Sequence, residues 1–170
     1  PWMTGLIDNP LRRKIQPPEA LVADHGIQPG MQVLEIGPGR GSYSFAAARH
    51  LGAGGSLVAL DIQEGVLQAF NQNPARGEFQ NISALVADVH RLPFPTGVFD
   101  GIRMIAVFNE IPDQQDMLAE FSRVLRPEGI FSCSELLIDP DYPLAKNLIH
   151  LVQTAGFQLI QKTGKETTAR

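Results

Sequence analysis

Val33-Leu34-Glu35-Ile36-Gly37-Pro38-Gly39-Arg40-Gly41 decides how this chain folds. Its first four residues are a short apolar run interrupted by one acid. Three alternating glycines close it, the pattern of a buried strand ending in a sharp turn. Ser42 to Leu51 follows, rich in alanine with apolar residues at helical spacing, and Gly52 stops it. The stretch therefore predicts a strand, a glycine loop and a helix in immediate succession. Glycine suits such a loop because the backbone must turn tightly and let a ligand approach where a Cβ would clash. The helix that opens after it presents outward-facing N–H groups. The alternative is a tight strand-to-helix turn that meets no ligand. The dinucleotide fingerprint GxGxxG is completed in neither register: its third glycine is Ser42 counted from Gly37 and Ser44 counted from Gly39. This counts against a pyrophosphate cradle.

The same alternation continues on either side. Residues 1–17 are irregular, with Asn9-Pro10 and Pro17-Pro18 as breakers, and with Trp2 and Met3 they are a candidate lid. Glu19 to His25 reads as a short helix. Leu57 to Asp61 is a second strand and Gln63 to Asn71 a helix. Ile82 to Ala87 and Phe99 to Val107 are further strands, and Asp113 to Leu125 is a helix with Leu118, Phe121, Val124 and Leu125 on one face. Pro127-Glu128-Gly129 turns into a fifth strand, Ile130 to Ile138. Leu144 to Thr154 is a helix, and Phe157 to Gln161 a sixth strand before a Thr163-Gly164 turn. Strands alternating with helices predict an α/β fold: a doubly wound, mostly parallel, Rossmann-like sheet with helices on both faces. Only Glu166 to Arg170 remain for a return strand, so a seventh strand is short or missing. A parallel sheet binds ligands outside the carboxyl ends of its strands, here the loops after Ile36, Asp61, Ala87 and Val107.

At 170 residues the chain suits one domain spanning 1–170. Apolar residues are 44% and charged residues 19%, a globular composition. The net charge of −4, with Arg12-Arg13-Lys14 as the one tight basic cluster, argues against nucleic acid as a partner. Cys133 is the single cysteine, which excludes an internal disulfide and a cysteine-only metal site. His25, His50 and His150 are read as surface or packing residues, and Glu135 with Asp139 makes no metal site, so none is expected. No apolar run approaches the ~18 residues of a membrane span, and no signal-peptide pattern opens the chain, so the cytosol is the expected compartment.

Several polar residues fall where a ligand would lie. Asp61 ends the second strand, where a carboxylate can accept two hydrogen bonds from a ribose diol; alternatively it caps the helix from Gln63. Asp88 ends the third strand and can accept from the exocyclic amine of adenine, or from local N–H groups as a loop-starting residue. Asn109 and Glu110, after the fourth strand, can position an acceptor or take its proton; otherwise they cap the helix after Pro112 and face water. His90 is a candidate base near neutral pH. Tyr43 either faces the ligand or packs.

These pieces together resemble the class I S-adenosylmethionine-dependent methyltransferases, over roughly Pro29 to Gln161. The strand and glycine loop from Val33 to Gly41 look like the family's first motif, and Leu60-Asp61-Ile62 and Ala87-Asp88-Val89 like its second and third. Leu92-Pro93-Phe94 with Phe99-Asp100, and Phe121 to Ile130, are similar to its later segments. The resemblance is greatest to small-molecule enzymes of the quinone-biosynthesis and arsenite type. The arsenite enzymes use several cysteines, whereas Cys133 stands alone. The Asn-Pro-Pro-Tyr motif of DNA and amide methylators is absent. The resemblance implies S-adenosyl-L-methionine as cofactor and a small-molecule methyl acceptor. It implies a cofactor site of Glu35, Gly37, Pro38, Gly39, Gly41, Asp61, Ile62, Asp88, Val89, Ile105 and Ala106. Asn109 and Glu110 would stand beside the acceptor, and methyl transfer would be an in-line displacement driven by orientation and exclusion of water. A nicotinamide-dependent oxidoreductase and a non-catalytic cofactor-binding subunit are the competing readings.

Overall fold

The computed structural model describes residues 17–134, 145–163 and 166–169. The elements are α1 (Pro18–Asp24), β1 (Gln32–Ile36), α2 (Ser42–Leu51), β2 (Ser56–Asp61), α3 (Glu64–Asn71), β3 (Ile82–Val86) and β4 (Phe99–Ile105). They continue as α4 (Gln114–Val124), β5 (Leu125–Ser134), α5 (Ala145–Thr154), β6 (Leu159–Thr163) and β7 (Glu166–Ala169). Strands β1 to β5 pair in parallel, and β7 pairs antiparallel with both β5 and β6. The sheet order is β3-β2-β1-β4-β5-β7-β6. Chain order reverses between β1 and β4, so the crevice of this open sheet lies above those two strands.

The short return strand is present, and it lies between β5 and β6 rather than at the edge. There it supplies backbone partners to the antiparallel β6 and to the otherwise open side of β5. Strand β5 begins at Leu125, earlier than the expected Ile130. The register slips between Phe99 and Gly101, whose partners are Leu125 and Ile130, so the Pro127-Glu128-Gly129 turn is a bulge within the strand. The candidate lid through Gln16, the Arg12-Arg13-Lys14 cluster, Glu135, Asp139 and the end of the expected fifth strand lie outside the described residues.

Period-two alternation splits the core between two faces. Val33, Leu57 and Ala59 point to one face, where they pack with Val22 of α1, Phe45 of α2 and Phe70 of α3. Leu34, Ile36, Leu60 and Met104 point to the other, beneath Leu118 and Phe121 of α4 and Leu148 of α5. Each fully buried side chain of this size contributes about 1.5–3 kcal/mol. Two of the segments that carry the resemblance act as joints. The Arg123 guanidinium donates to the carbonyls of Phe94 (2.8 Å) and Leu92 (3.0 Å), and Glu120 accepts from the Leu92 N–H at 2.8 Å. Asp100 accepts the Gln32 N–H at 2.7 Å, tying the start of β4 to β1.

His25, at the C-cap of α1, is a packing residue: it is buried, with Nε2 2.8 Å from the Ser134 hydroxyl of β5. Burial, reinforced by Arg103, holds its pKa well below the ordinary value, so the folded ring stays neutral. A depressed histidine stabilises the fold above its unfolded pKa of about 6.5, and that contribution drains away as pH falls below it. Urea unfolding at pH 7.5 and 5.5 should therefore show a steeper acid loss for the wild type than for His25→Gln; equal losses would contradict this role.

Candidate active site

A cavity of about 440 Å³ opens at the carboxyl ends of β1, β2, β3 and β4, a volume within the usual range for ligand sites. From β1 and its loop come Glu35, Ile36, Gly37, Pro38 and Gly39; from β2, Asp61 and Ile62; from the loop after β3, Asp88 and Val89. Ile105, Ala106 and Glu110 line it from the loop after β4. Eleven of the thirteen residues expected at the site thus surround one space. Gly41 and Asn109 are not among its lining residues.

Gly41 belongs to the packing beneath the site. A Cβ there would come within 2.5 Å of the Phe45 ring and 2.9 Å of the Phe70 ring, at a φ of +93°. It is the N-cap of α2, so its place in the glycine loop lets the helix start close against its own aromatic layer. Gly39, at φ +55°, is the opposite case: a Cβ would meet nothing within 4 Å, and the residue borders the cavity. Asn109 lies in a short 3₁₀ turn, Phe108–Glu110, with its Nδ2 buried and without a hydrogen-bond partner.

Asp61 does not cap α3 directly. Its Oδ1 accepts the N–H of Gln63, the N-cap residue, at 2.8 Å. Burial pushes its carboxyl pKa up, and the N–H groups of Gln63 and Ile62 only partly offset this. A half-buried carboxylate raised in this way gains from further donors. Asp88 is exposed and held below its ordinary value, first by the His90 N–H and then by the His90 ring. The ring nitrogen Nδ1 is 2.7 Å from Asp88 Oδ1, and Nε2 is 2.9 Å from the Pro112 carbonyl oxygen. Both ring nitrogens thus face acceptors, and a ring that donates to both has no lone pair left to act as a base.

Glu35 and Arg103 are register partners on β1 and β4 and share the face under α1 and α2. Arg103 is fully buried, with Nε 3.5 Å from Glu35 Oε1. That separation is an ion-pair contact rather than a hydrogen bond, and none of the three guanidinium nitrogens has a hydrogen-bond partner. Burial holds the guanidinium below its ordinary range, and the Glu35 carboxylate pulls it back. A lone arginine within the run Gly101-Ile102-Arg103-Met104-Ile105-Ala106-Val107 is a signal visible in the sequence. So are Pro112-Asp113, which also line the cavity. Asp113 (φ +45°) and Ala106 (φ +55°) both sit in the left-handed region. Such strain costs about 1–3 kcal/mol per residue and concentrates at binding sites. Tyr43 is buried and borders the cavity.

The charges around the cavity are lopsided. Glu35, Asp61, Asp88, Glu110 and Asp113 are acids, set against Arg40 and His90. Among the described residues no cluster of His, Cys, Asp and Glu could hold a metal ion, and no helix is long and apolar enough to cross a membrane.

Residues 27–166 match the family described as "Methyltransferase domain". The chain belongs to that family. Among the relatives of this methyltransferase domain, demethylmenaquinone methyltransferase of Staphylococcus aureus (strain MRSA252) is 28% identical over 131 residues, 77% of this chain and 53% of that one. Nocamycin O-methyltransferase of Saccharothrix syringae is 33% identical over 102 residues, 60% of this chain and 36% of that one. The chain spans about half the length of the curated relatives it matches. In three dimensions a SAM-dependent methyltransferase from Aquifex aeolicus superposes with a TM-score of 0.87 at 23% identity, covering 99% of this chain and 96% of that one. The methyltransferase domain thus has the Rossmann-like sheet expected from its sequence. S-adenosylmethionine is the cofactor that family and fold imply. The residues present fit it: a strand-end carboxylate short of donors, an open glycine approach and an acidic lining around a cavity of suitable volume. These matches lend the nicotinamide alternative no support.

Proposed function

We propose that this domain transfers a methyl group from S-adenosylmethionine to a small-molecule acceptor. One observation carries the reading: five carboxylates border the cavity, against one arginine and one histidine, and the lining stays acidic even with Arg103 behind Glu35 counted. An acidic cavity attracts a cofactor bearing a sulfonium and an ammonium and repels the pyrophosphate of a dinucleotide. When bound, the cofactor supplies an activated methyl with a neutral thioether as leaving group.

Each residue then has a role this geometry supports. Asp61 accepts the two ribose hydroxyls, and Asp88 the adenine amine. Ile62 and Val89 provide apolar surface to either side of the base. Glu35 faces the ammonium, and Gly37 and Pro38, with the open backbone at Gly39, admit the cofactor's methionyl end. Ile105 and Ala106 border the sulfur and keep water from it, which favours transfer over hydrolysis. Glu110 borders the cavity and Asn109 does not, so Glu110 is the member of the pair that meets the acceptor; it takes a proton only if the acceptor must lose one. The acidic lining and the net charge of −4 support an acceptor that is not nucleic acid. One continuous sheet supports reading the chain as a single domain, and a single, buried cysteine, Cys133, is in keeping with a reducing, cytosolic setting.

The test is formation of S-adenosylhomocysteine, followed by mass spectrometry, when the protein and donor meet a fractionated small-molecule extract. Acceptor-dependent product is the expected result. Tight cofactor binding with no turnover on any fraction would favour the non-catalytic subunit instead. A fluorescence change on adding NADH, without S-adenosylhomocysteine binding, would favour the oxidoreductase.

A further inference from the structure

We propose that His90 is a positioning residue of the cofactor pocket: as an imidazolium it straps the loop after β3 to the loop after β4. The proposal rests on the cofactor reading above.

The geometry is specific. Nδ1 lies 2.7 Å from Asp88 Oδ1 and Nε2 lies 2.9 Å from the Pro112 carbonyl oxygen. A carboxylate and a carbonyl can only accept, so both ring nitrogens must donate, and only the doubly protonated ring can do so. A neutral ring keeps one bond and loses the other. The strap joins two walls of one cavity: Asp88, Val89 and His90 line it from one side, and Ile111, Pro112 and Asp113 from the other. Its far anchor adjoins Asp113, whose φ of +45° is a conformation that surrounding contacts must hold. Its near anchor is the carboxylate assigned to adenine, which the His90 N–H also fixes at 2.9 Å.

The charged groups bear on the ring in one direction. Asp88 on its own loop and Asp113 across the gap both favour the cation, while Asp61, Glu110 and Arg40 border the same cavity from its other walls. The Pro112 carbonyl first, and Asp88 next, raise the His90 pKa above its ordinary value. A raised histidine gives its full contribution below the ordinary pKa of about 6.5 and loses it as pH rises through the raised value. The Asp88 end of the strap fails only in acid, because its pKa is lowered. The strap therefore holds at mildly acidic to neutral pH and opens in alkali.

Isothermal titration with S-adenosylhomocysteine from pH 6 to 9, on wild type and His90→Gln, reads this directly. The wild type should lose about 10-fold in affinity across the range, the worth of one such hydrogen bond. His90→Gln should be weaker by a similar factor at pH 6 and flat above it, meeting the wild type at pH 9. Nitrogen-15 spectra of the free wild-type protein should show both His90 nitrogens protonated at pH 6.5, a readout that needs no ligand. A neutral His90 tautomer at that pH overturns the strap whatever the ligand does. So does a variant whose affinity and pH slope equal the wild type's. An imidazolium in a protein that never binds S-adenosylhomocysteine overturns the reading of the pocket, and with it the proposed consequence.

Discussion

Asp61→Ala is expected to weaken S-adenosylhomocysteine binding by about 100-fold or more. The carboxylate ends β2 at the cavity wall, is half withdrawn from water, and has its pKa raised because that burial exceeds what two N–H groups return. Two ribose hydroxyls would replace the missing water. Hydrogen bonds to a charged group contribute about 1.5–3 kcal/mol each, so losing both costs ~3 kcal/mol at the least. Asp61→Asn separates charge from shape: it keeps one acceptor oxygen and should fall between wild type and alanine. The fold should tolerate either change, since the bond that Asp61 makes to Gln63 lies at a partly exposed strand end. Calorimetry showing wild-type affinity in Asp61→Ala would remove the ribose from this position.

Arg103→Met is expected to have the largest effect on stability, a loss of about 3–5 kcal/mol. Glu35 and Arg103 are both buried and compensate each other at 3.5 Å, with little further hydrogen bonding to offset their desolvation. Removing one member leaves an uncompensated charge in the interior, whereas removing both can be neutral or stabilising. The single substitution should lower Tm by roughly 6–20 °C for a domain of this size. Adding Glu35→Gln to it should recover most of that loss in urea unfolding, while S-adenosylhomocysteine binding stays impaired because Glu35 borders the cavity. If Arg103→Met unfolds with the wild type, the ion pair carries no such weight.

What could be read from the chain alone divides along the range of the interactions. Helix α2 runs from Ser42 to Leu51, as its alanine-rich spacing and the glycine stop imply. Strand ends at Ile36 and Asp61 were legible because apolar runs closed by a glycine or an acid are local signals. The shared cavity followed because parallel sheets bring their carboxyl ends together, so the glycine loop, Asp61 and Asp88 converge by topology. Features that depend on tertiary pairing were not legible. Nothing local in Glu166–Ala169 says that it inserts between β5 and β6. Nothing in the β1 motif says that Glu35 will stand beside Arg103, which only the β1–β4 register determines. Gly41 looks like its two neighbours in the loop, yet it answers to Phe45 and Phe70 behind it. The His90 bond to Pro112 joins loops that meet only after the sheet has formed.

The central claim is that one adenosine lies across β1, β2 and β3 with the sulfur toward β4. A crystal structure of the protein with S-adenosylhomocysteine tests it most directly. The account predicts the ribose hydroxyls on the Asp61 carboxylate, the adenine amine at Asp88, and the sulfur beside Ala106. A ligand bound elsewhere, or a cavity still empty at saturating concentration, would contradict it.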